Sequence, residues 1–559
     1  MGATNTHSSM DEGDGQTSQS AGFRTIQRLS QRLRNWQEGY DHGRNATAAA
    51  TASSMSDAGA GSSGSGSGSG PAANVQIVVR PRDNAIVNVR VWEVEYVDEE
   101  VEGSSTRQDS SNKGPNTKEL EESEFCLMTK MACGLKPDSN SQYEKPSSVL
   151  KLISQREIGT RGGGGFTSHD ISNTIHHFLP NKMTVEDQYF HKAFCGTYST
   201  DGDYFLSACQ DRMLRLYKTT GKRFRLLRTI AARDVGWSIL DTAFSPDGSC
   251  CAYSSWSDSI YVVRLFGDSD SHDALMLSPT QSRFCIFSLV FSQDGQEILC
   301  GANDGFMYLY DRYSNQRILR IPAHYTDVNT VAYADNTSHI LYSGSDDGLC
   351  KVWDRRTLSE SDPQPVGVLA GHQDGITFIE PRGDGRHFLS NSKDQTIKLW
   401  DVRKFSSEDA QEETRQHVAS QNWDYRWQKV PHKFREATLA SLKGDSSVMT
   451  YRGHSVLQTL VRCHFSPTVS TGQRYIYSGC AEGRVFIYDA LTGHPVKVLR
   501  GHRACVRDVS WHPYKTEIAS TSVCMVHAIL VTILPDDLKS CVYSTVGLCS
   551  GTMVSPRGV

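Results

Sequence analysis

Several motifs that carry enzymatic chemistry are missing from this 559-residue sequence. Its 15 cysteines include no Cys-x-x-Cys pair, so the ligand pattern of a zinc ribbon and the redox motif of a thioredoxin are both absent. The glycine run at residues 162–165 lacks the Lys-Ser or Lys-Thr that follows a phosphate-binding loop, and no nucleophile elbow appears. We therefore expect a protein that is not an enzyme, with no catalytic residues, no cofactor and no metal.

Charge of one sign and long apolar runs are also scarce. The 58 Lys and Arg residues are nearly matched by 63 Asp and Glu residues, and the formal net charge of −5 does not indicate direct binding of nucleic acid. No run of 18 apolar residues occurs, so no membrane span is expected. Most cysteines lie in apolar or strand-like runs, as Cys195 and Cys300 do, which favours buried thiols in a reducing compartment.

The first quarter of the chain has the composition of a disordered, low-complexity tail, which we assign to residues 1–145. Residues 46–73 are mostly Ala, Ser and Gly, and residues 93–124 are rich in Asp and Glu, so neither stretch has much to bury. At residues 23–36, apolar side chains recur at helical spacing between arginines, which predicts a short basic amphipathic helix. Docking on a partner protein, contact with an acidic membrane surface and a transient helix without a role all stay open for it.

From about residue 185 onwards the sequence contains an internal repeat. A serine is followed four residues later by an acid and six residues after that by an aromatic residue. Complete and looser copies together place the acids at positions 211, 258, 304, 347, 394 and 482, and the first four spacings, 43 to 47 residues, are close to the length of a WD repeat. The complete copies, which end in Trp-Asp, are Ser343, Asp347 and Trp353, and Ser390, Asp394 and Trp400.

A histidine precedes each complete copy, His324 in an Ala-His pair and His372 in a Gly-His pair. In a WD repeat the unit is a four-stranded blade, in which the aromatic residue lies on an inner strand and the acid in the turn before it. The serine lies on the strand before that turn, and the histidine lies in the loop that enters the blade. We expect the four side chains to form a buried hydrogen-bonded network. A catalytic Asp-His pair is the rival interpretation, but repetition of the pair in several blades favours the structural role.

Seven such units can be counted, so the sequence predicts an all-β, seven-bladed WD-repeat β-propeller over residues 146–522, with an insertion at about residues 404–447. The seventh unit departs from the spacing. Ser520 predicts an acid at position 524 and an aromatic residue at position 530, where the chain has Cys524 and Leu530. We therefore treat residues 523–559 as a divergent C-terminal segment and expect the last blade to be incomplete, which leaves undecided whether the ring closes. The alternative is that the apolar segment at residues 526–534, which is rich in β-branched residues, substitutes as a strand.

Four longer stretches carry a family resemblance. They are Asp-Val-Gly-Trp-Ser at residues 234–238, Gly-His-Gln-Asp-Gly-Ile-Thr-Phe at 371–378, Asn-Trp-Asp-Tyr-Arg-Trp at 422–427 and Arg-Asp-Val-Ser-Trp-His-Pro at 507–513. With them, the region from about residue 150 to residue 522 resembles the WD repeat protein 23-like (DCAF-like) substrate receptors of the cullin-4 RING ubiquitin ligases. The resemblance implies a non-catalytic substrate-recognition subunit of the nucleus and cytoplasm. Its protein substrates would include stress-response transcription factors as one type.

Receptors of this family dock on the damaged-DNA-binding adaptor of the ligase, and their signature is Trp-Asp-x-Arg at the end of a repeat. Two copies stand here in consecutive units, at residues 353–356 and 400–403, whereas residues 310–313 lack the final arginine and are not counted. An arginine just beyond a strand end points to the rim, where it can make charge-assisted contacts with a partner; a solvated arginine without a partner is the alternative. The adaptor-binding residues implied by the resemblance are Asp354, Arg356, Asp401 and Arg403.

A second function stays open beside the ligase role. The chain could be a general WD-repeat scaffold for a nuclear or cytoplasmic complex unrelated to ubiquitin. The paired Trp-Asp-x-Arg signature favours the ligase, and co-purification of the adaptor would discriminate between the two functions. No motif predicts the substrate-binding residues, because propellers bind ligands with loops from several blades.

Overall fold

The computed structural model describes residues 77–79, 86–89, 115–135, 172, 179–267, 270–278, 283–435, 441–523 and 529–533. The predicted basic helix at residues 23–36 lies outside the described residues. Strands β1 (Ile77–Val79) and β2 (Ile86–Val89) pair with each other in a small two-stranded sheet.

Seven four-stranded antiparallel sheets form the blades of a propeller, which confirms the predicted fold class. The first strands of neighbouring blades contact one another all the way round the ring, so these first strands line its centre. The outer strand of blade 7 is β3 (Lys182–Asp187), which precedes every other strand of the ring in the chain.

The other strands of the blades are three to seven residues long and run in chain order from the centre outwards. Blades 1 to 3 consist of β4 (Ala193–Tyr198), β5 (Tyr204–Cys209), β6 (Met213–Lys218) and β7 (Arg225–Ala231); β8 (Asp241–Phe244), β9 (Cys250–Ser254), β10 (Ser259–Arg264) and β11 (His272–Met276); and β12 (Ile286–Phe291), β13 (Glu297–Ala302), β14 (Phe306–Asp311) and β15 (Gln316–Pro322). Blades 4 to 6 consist of β16 (Val328–Tyr333), β17 (Ile340–Ser345), β18 (Cys350–Asp354) and β19 (Gly367–Leu369); β20 (Ile376–Pro381), β21 (His387–Ser392), β22 (Thr396–Asp401) and β23 (Met449–Arg452); and β24 (Cys463–Phe465), β25 (Tyr475–Gly479), β26 (Arg484–Asp489) and β27 (Pro495–Arg500). Blade 7 adds β28 (Val506–Trp511), β29 (Glu517–Ser522) and β30 (Ile529–Ile533) to β3.

The hydrophobic core lies between adjacent blades. At the contact of blades 4 and 5, the buried rings of Tyr342 and Phe388 have their centroids 4.6 Å apart, and Trp400 packs in the same cluster. Gly344 allows the close approach there, because a Cβ atom at this position would come within 2.8 Å of Ile376. Each such interface buries large apolar side chains from both blades, which holds the blades in one ring.

The expectation that blade 7 would be incomplete is wrong, and the alternative of a substitute strand within residues 526–534 is the one observed. Strand β30 pairs with β29 on one side and with β3 on the other, so blade 7 has four strands. Ile529 and Val531 bury their side chains in the cluster between blades 7 and 1. The strand lacks the WD signature but has β-branched residues in alternation, and a backbone ladder needs no particular side chain.

Part of the tail assigned to residues 1–145 is ordered, which corrects that assignment. Helices α1 (Lys118–Glu121) and α2 (Glu124–Ala132) pack against blades 5 and 6, and Leu120 and Phe125 are fully buried in the same cluster as Ile397 and Tyr488. Acids are so frequent in this stretch that its composition indicated disorder, although Leu120 and Phe125 form an apolar face.

The predicted insertion interrupts blade 5 between β22 and β23. It contains helices α3 (Glu408–Ala419) and α4 (His432–Arg435), and Ser407 caps the first of them by accepting a hydrogen bond from the Ala410 amide at 3.4 Å. A further short helix, α5 (Thr468–Thr471), lies between β24 and β25. In the part of the chain that the structure describes, none of the helices has the length and apolar character of a membrane span.

Candidate protein-docking surfaces

The first complete repeat forms a closed hydrogen-bonded network in blade 4. His324 Nδ1 lies 2.9 Å from Asp347 Oδ2, and His324 Nε2 lies 2.8 Å from Ser343 Oγ. The Trp353 indole donates to the same Ser343 oxygen at 2.9 Å. All four side chains are buried, so the network joins the entering loop, the second strand, the turn and the third strand of the blade.

The second complete repeat forms the same network in blade 5. His372 lies 2.9 Å from Asp394 Oδ2 and 2.6 Å from Ser390 Oγ, which also accepts from the Trp400 indole at 2.7 Å. Burial alone would raise the pKa of the Asp394 carboxyl, but His372 and the hydrogen bonds from Thr396 hold it well below its usual value. Asp394 is therefore ionised at neutral pH, with its oxygens engaged by groups of its own blade.

Replacing Asp394 by alanine is expected to lower the free energy of unfolding by about 1–3 kcal/mol, because His372 and Thr396 lose a buried acceptor. Thermal and denaturant unfolding would measure the loss. Asp273→Ala is the matched control, since Asp273 is exposed on β11 and should change stability by less than about 0.5 kcal/mol. Equal stability of the Asp394 variant and the wild type would contradict a structural role for the network.

The arginine of the first Trp-Asp-x-Arg copy lies on the rim, one turn beyond β18. Arg356 donates from Nε and Nη2 to the two carboxylate oxygens of Asp354 at 2.9 and 2.7 Å, and its side chain is 62% exposed. The hydrogen bond from Arg356 lowers the pKa of Asp354 to about 2, so the pair stays charged at neutral pH. The intervening Arg355 points instead to Glu297 of blade 3, at 2.7 Å. Asp354 thus holds the guanidinium of Arg356 in a fixed position, and the Arg356 side chain is exposed to solvent.

The arginine of the second copy lies on the same rim, beside helix α2. Arg403 is 60% exposed and contacts Glu124 of α2 at 3.1 Å. Asp401 accepts two hydrogen bonds from Arg386, at 3.1 and 2.8 Å, and lies 3.6 Å from Arg403. Arg386 also pairs with Glu124. Asp401 and Glu124 therefore hold two arginines at the edge of blade 5.

Sequence reasoning missed the two helices that adjoin this rim. Glu124 ties α2 to Arg403, and Lys404 lies 3.9 Å from Glu119 of α1. On the outer face of α2, Leu127 and Met131 are exposed one helical turn apart. The spacing of Leu120, Phe125 and Thr129, which face the blades, was the available signal for these helices.

The centre of the ring is crossed by a buried ionic network. Arg462 of the loop before β24 contacts Asp241 of blade 2 at 2.5 Å and Asp508 of blade 7 at 3.3 Å. Arg507 of blade 7 donates to the carbonyl oxygens of Phe194 and Leu240 at 2.6 and 2.9 Å. Blades 6, 7, 1 and 2 are thus joined across the axis. No sequence motif marks this network, because its members lie in separate repeats.

The insertion crosses the opposite face of the propeller. We define the strap as residues 421–430. The Trp423 indole donates to Asp374 Oδ2 at 2.8 Å, the Tyr425 carbonyl accepts from the Gln458 amide at 2.9 Å, and Lys393 lies 4.4 Å from the centroid of the Tyr425 ring. These contacts join loops of blades 5 and 6. They lie at the Asp394 end of β22, whereas Arg403 follows the other end about 20 Å away.

Acidic side chains lie beneath the strap. Burial and the neighbouring Asp346 raise the pKa of Asp327 above its usual value, and burial raises the pKa of Asp374 to about 6. Lys393 pairs with Asp346 at 2.6 Å, and Arg426 of the strap is attracted to both Asp346 and Asp327. Within the described ranges, no group of three His, Cys, Asp or Glu side chains is arranged to hold a metal ion. Asp374 contacts Trp423, and Asp346 and Asp327 attract Arg426, so these acids hold the strap in place.

The outer surface of the strap is basic and aromatic. Trp427 is exposed, and residues 425–435 contain Arg and Lys but neither Asp nor Glu. Lys429 of the strap and Lys433 and Arg435 of the adjoining helix α4 are exposed, whereas Arg426 is attracted to the acids beneath the strap. Such a surface suits a protein partner with acidic and apolar side chains.

Comparison with known proteins places these features in a family. The WD domain, G-beta repeat family (WD40) matches residues 277–311, 315–354, 363–401 and 493–524. The LEC14B protein of Lithospermum erythrorhizon is 43% identical over 392 residues, which cover 67% of this chain and 80% of that protein. The LEC14B homolog of Prunus armeniaca is 39% identical over 436 residues, covering 75% and 90%.

A third relative is the DDB1- and CUL4-associated factor 11 homolog of Caenorhabditis elegans. It is 40% identical over 402 residues, which cover 70% of this chain and 68% of that protein. The resemblance to DCAF-like WD-repeat proteins that the sequence motifs indicated is thereby confirmed. The chain belongs to the family of WD-repeat propeller proteins that includes LEC14B and the DDB1- and CUL4-associated factor 11 homologs.

Proposed function

We propose that this chain is the substrate-recognition subunit of a cullin-4 RING E3 ubiquitin ligase and docks on its damaged-DNA-binding adaptor. The observation that carries the proposal is the pair of exposed arginines, Arg356 and Arg403, that follow Trp-Asp in consecutive blades on one rim. The names of two relatives, DDB1- and CUL4-associated factor 11 homologs, point in the same direction.

The rim has the chemistry of a docking surface. Asp354 fixes the guanidinium of Arg356, so little conformational entropy is lost when a partner carboxylate or carbonyl binds it. Next to Arg403, Leu127 and Met131 of α2 are exposed to solvent and supply apolar area that a bound partner would cover. Charged groups around an apolar centre are the usual composition of a specific protein interface.

Substrates would bind on the opposite face, where the strap lies. The exposed Trp427 offers a rigid aromatic contact, and the basic residues of the strap attract acidic protein segments. A stress-response transcription factor is one candidate type of substrate. With the adaptor on one face and the substrate on the other, a single chain can hold both at once.

The chain would bring the substrate close to the ubiquitin that is transferred, and it would not itself catalyse the transfer. Ubiquitin transfer belongs to other subunits of the ligase, and holding the substrate beside the loaded ubiquitin raises the effective concentration of its lysines. We place this work in the nucleus and the cytoplasm. The free, mostly buried cysteines of the described residues suit those reducing compartments.

Affinity purification followed by lysine cross-linking and mass spectrometry would test the proposal. The full chain, tagged and expressed in a eukaryotic cell line, is expected to recover the adaptor and the cullin. Cross-links to the adaptor should map to Lys404, which lies beside Arg403, and those to substrates should map to Lys429 of the strap and Lys433 of α4. Recovery of a different complex without adaptor or cullin would overturn the proposal and favour the general scaffold.

A further inference from the structure

One copy of a short sequence pattern on the propeller differs from the other copies because its serine is partly exposed to solvent. Ser-x-x-Asp, a serine with an acid three residues later, is the charge pattern that acidophilic serine kinases select. Five copies occur among the described residues, and the serines of four of them are buried. The buried serines are Ser238, Ser255, Ser343 and Ser406. The fifth, Ser359, is partly exposed.

Ser359 lies in a connection that a kinase can bind. Residues 358–366, between β18 and β19, have no helix or strand, so this stretch can adopt the extended form that kinase substrate grooves require. Acids stand at the first and third positions after the serine, Glu360 and Asp362, and both are exposed. The hydroxyl of Ser359 lies 2.8 Å from that of Ser361, which is a weak contact to give up.

The same connection leads directly from the adaptor rim. Arg356 precedes Ser359 by three residues, so their Cα atoms are at most about 11 Å apart. Glu360 accepts a hydrogen bond from the Arg320 amide at 2.5 Å, which anchors the connection to β15 of blade 3. A charge on Ser359 would therefore stay close to Arg356 instead of moving away with a free loop, at a distance comparable to the screening length of about 8 Å in physiological salt.

We propose that Ser359 is a phosphorylation site for an acidophilic serine kinase, and that its phosphate weakens docking of the adaptor at Arg356. The kinase transfers the γ-phosphoryl group of ATP to Ser359 Oγ. The new O–P bond forms as the bond from the γ-phosphorus to the bridging oxygen breaks, ADP leaves, and the hydroxyl proton passes to the kinase base. The first half of the proposal concerns this chain alone, whereas the second half rests on the proposed function.

The expected consequence follows from the charges of the turn. Residues 354–362 already hold three acids against two arginines, and a phosphate adds about −1.5 to −2 at neutral pH. Its oxygens can replace the Asp354 carboxylate as partners of Arg356, or repel acidic groups of an approaching partner. The first effect occupies the Arg356 guanidinium and the second opposes the approach of the adaptor, so both weaken docking.

The first experiment reads the modification without any adaptor. The purified full chain is incubated with an acidophilic serine kinase of the casein kinase 2 type and ATP, and phosphate is located by site-resolved mass spectrometry. We expect phosphate on Ser359, its loss in Ser359→Ala, and none on Ser406, which has the same pattern but is buried. Absence of phosphate on Ser359, or modification of Ser406 to the same extent, would overturn the assignment.

The second experiment compares adaptor affinity of the unmodified and the Ser359-phosphorylated chain. The phosphorylated chain is expected to bind about tenfold more weakly, and the difference should shrink when Arg356→Ala is already present. Equal affinities would overturn the regulatory half and leave the modification site standing. Failure of the unmodified chain to bind the adaptor would instead count against the proposed function, because the first experiment is independent of it.

Discussion

Replacing both Arg356 and Arg403 by alanine is expected to abolish recovery of the adaptor in affinity purification. In the free chain each guanidinium is more than half exposed, so both are available to a partner. Once an interface covers them, loss of one paired charge typically costs about 2–5 kcal/mol, and about 2 kcal/mol already weakens binding roughly thirtyfold. Quantitative mass spectrometry of the purified complexes would measure the loss.

A matched control for this prediction lies in the same turn. Arg355→Ala removes a charge of the same sign one residue away, but Arg355 is turned to Glu297 of blade 3 and does not belong to the Trp-Asp-x-Arg signature. It should leave adaptor recovery within about twofold of the wild type, because a surface charge that the interface does not cover contributes little to affinity. Equal loss with Arg355→Ala would mean that general charge, not the signature, attracts the adaptor.

Folding of the double variant needs to be shown separately. The Arg356–Asp354 pair is mostly exposed on the arginine side, and Arg386 keeps Asp401 and Glu124 paired when Arg403 is absent. The melting temperature of the double variant should therefore stay close to that of the wild type. If adaptor recovery is normal in a variant that is folded, these two arginines are not the docking residues.

The repeat spacing was sufficient to predict the propeller, because the residues that recur are those that make local contacts in each blade. His372, Ser390, Asp394 and Trp400 lie within one blade, and their spacing follows from its strand and turn lengths. The prediction failed at β30 for the converse reason. The repeat spacing detects only strands whose side chains form the hydrogen-bonded network. Strand β30 is held instead by backbone hydrogen bonds to its neighbours and by the apolar packing of Ile529 and Val531.

Contacts between distant segments could not be predicted from a local pattern. Glu124 reaches Arg403 across 279 residues, and Arg462 reaches Asp241 across 221. The strap was visible only as an insertion, since its acidic partners, such as Asp374, look like ordinary loop residues until blades 4 and 5 bring them together. Composition misled for residues 118–132, where a few buried apolar side chains outweigh many solvated acids.

Replacing Arg462 by methionine is expected to lower the free energy of unfolding by about 3–5 kcal/mol, because it leaves two buried carboxylates without their cation. Asp241 and Asp508 both contact Arg462 and are almost fully buried. Although burial would raise the pKa of Asp508, Arg462 and His464 hold it below its usual value, so Asp508 is charged in the folded chain. Chemical denaturation of the purified chain would measure the loss.

The matched control is Arg228→Met, in which the partner carboxylate of Asp270 is 83% exposed and returns to water, so less than about 1 kcal/mol should be lost. Adding Asp241→Asn and Asp508→Asn to Arg462→Met should recover part of the lost stability, because the uncompensated charges are then gone. Recovery would assign the effect to charge and not to the shape of the arginine side chain. If Arg462→Met cost no more than Arg228→Met, the ionic network at the ring centre would not be what joins blades 6, 7 and 2. In that case the apolar packing between adjacent blades alone would stabilise the closed ring.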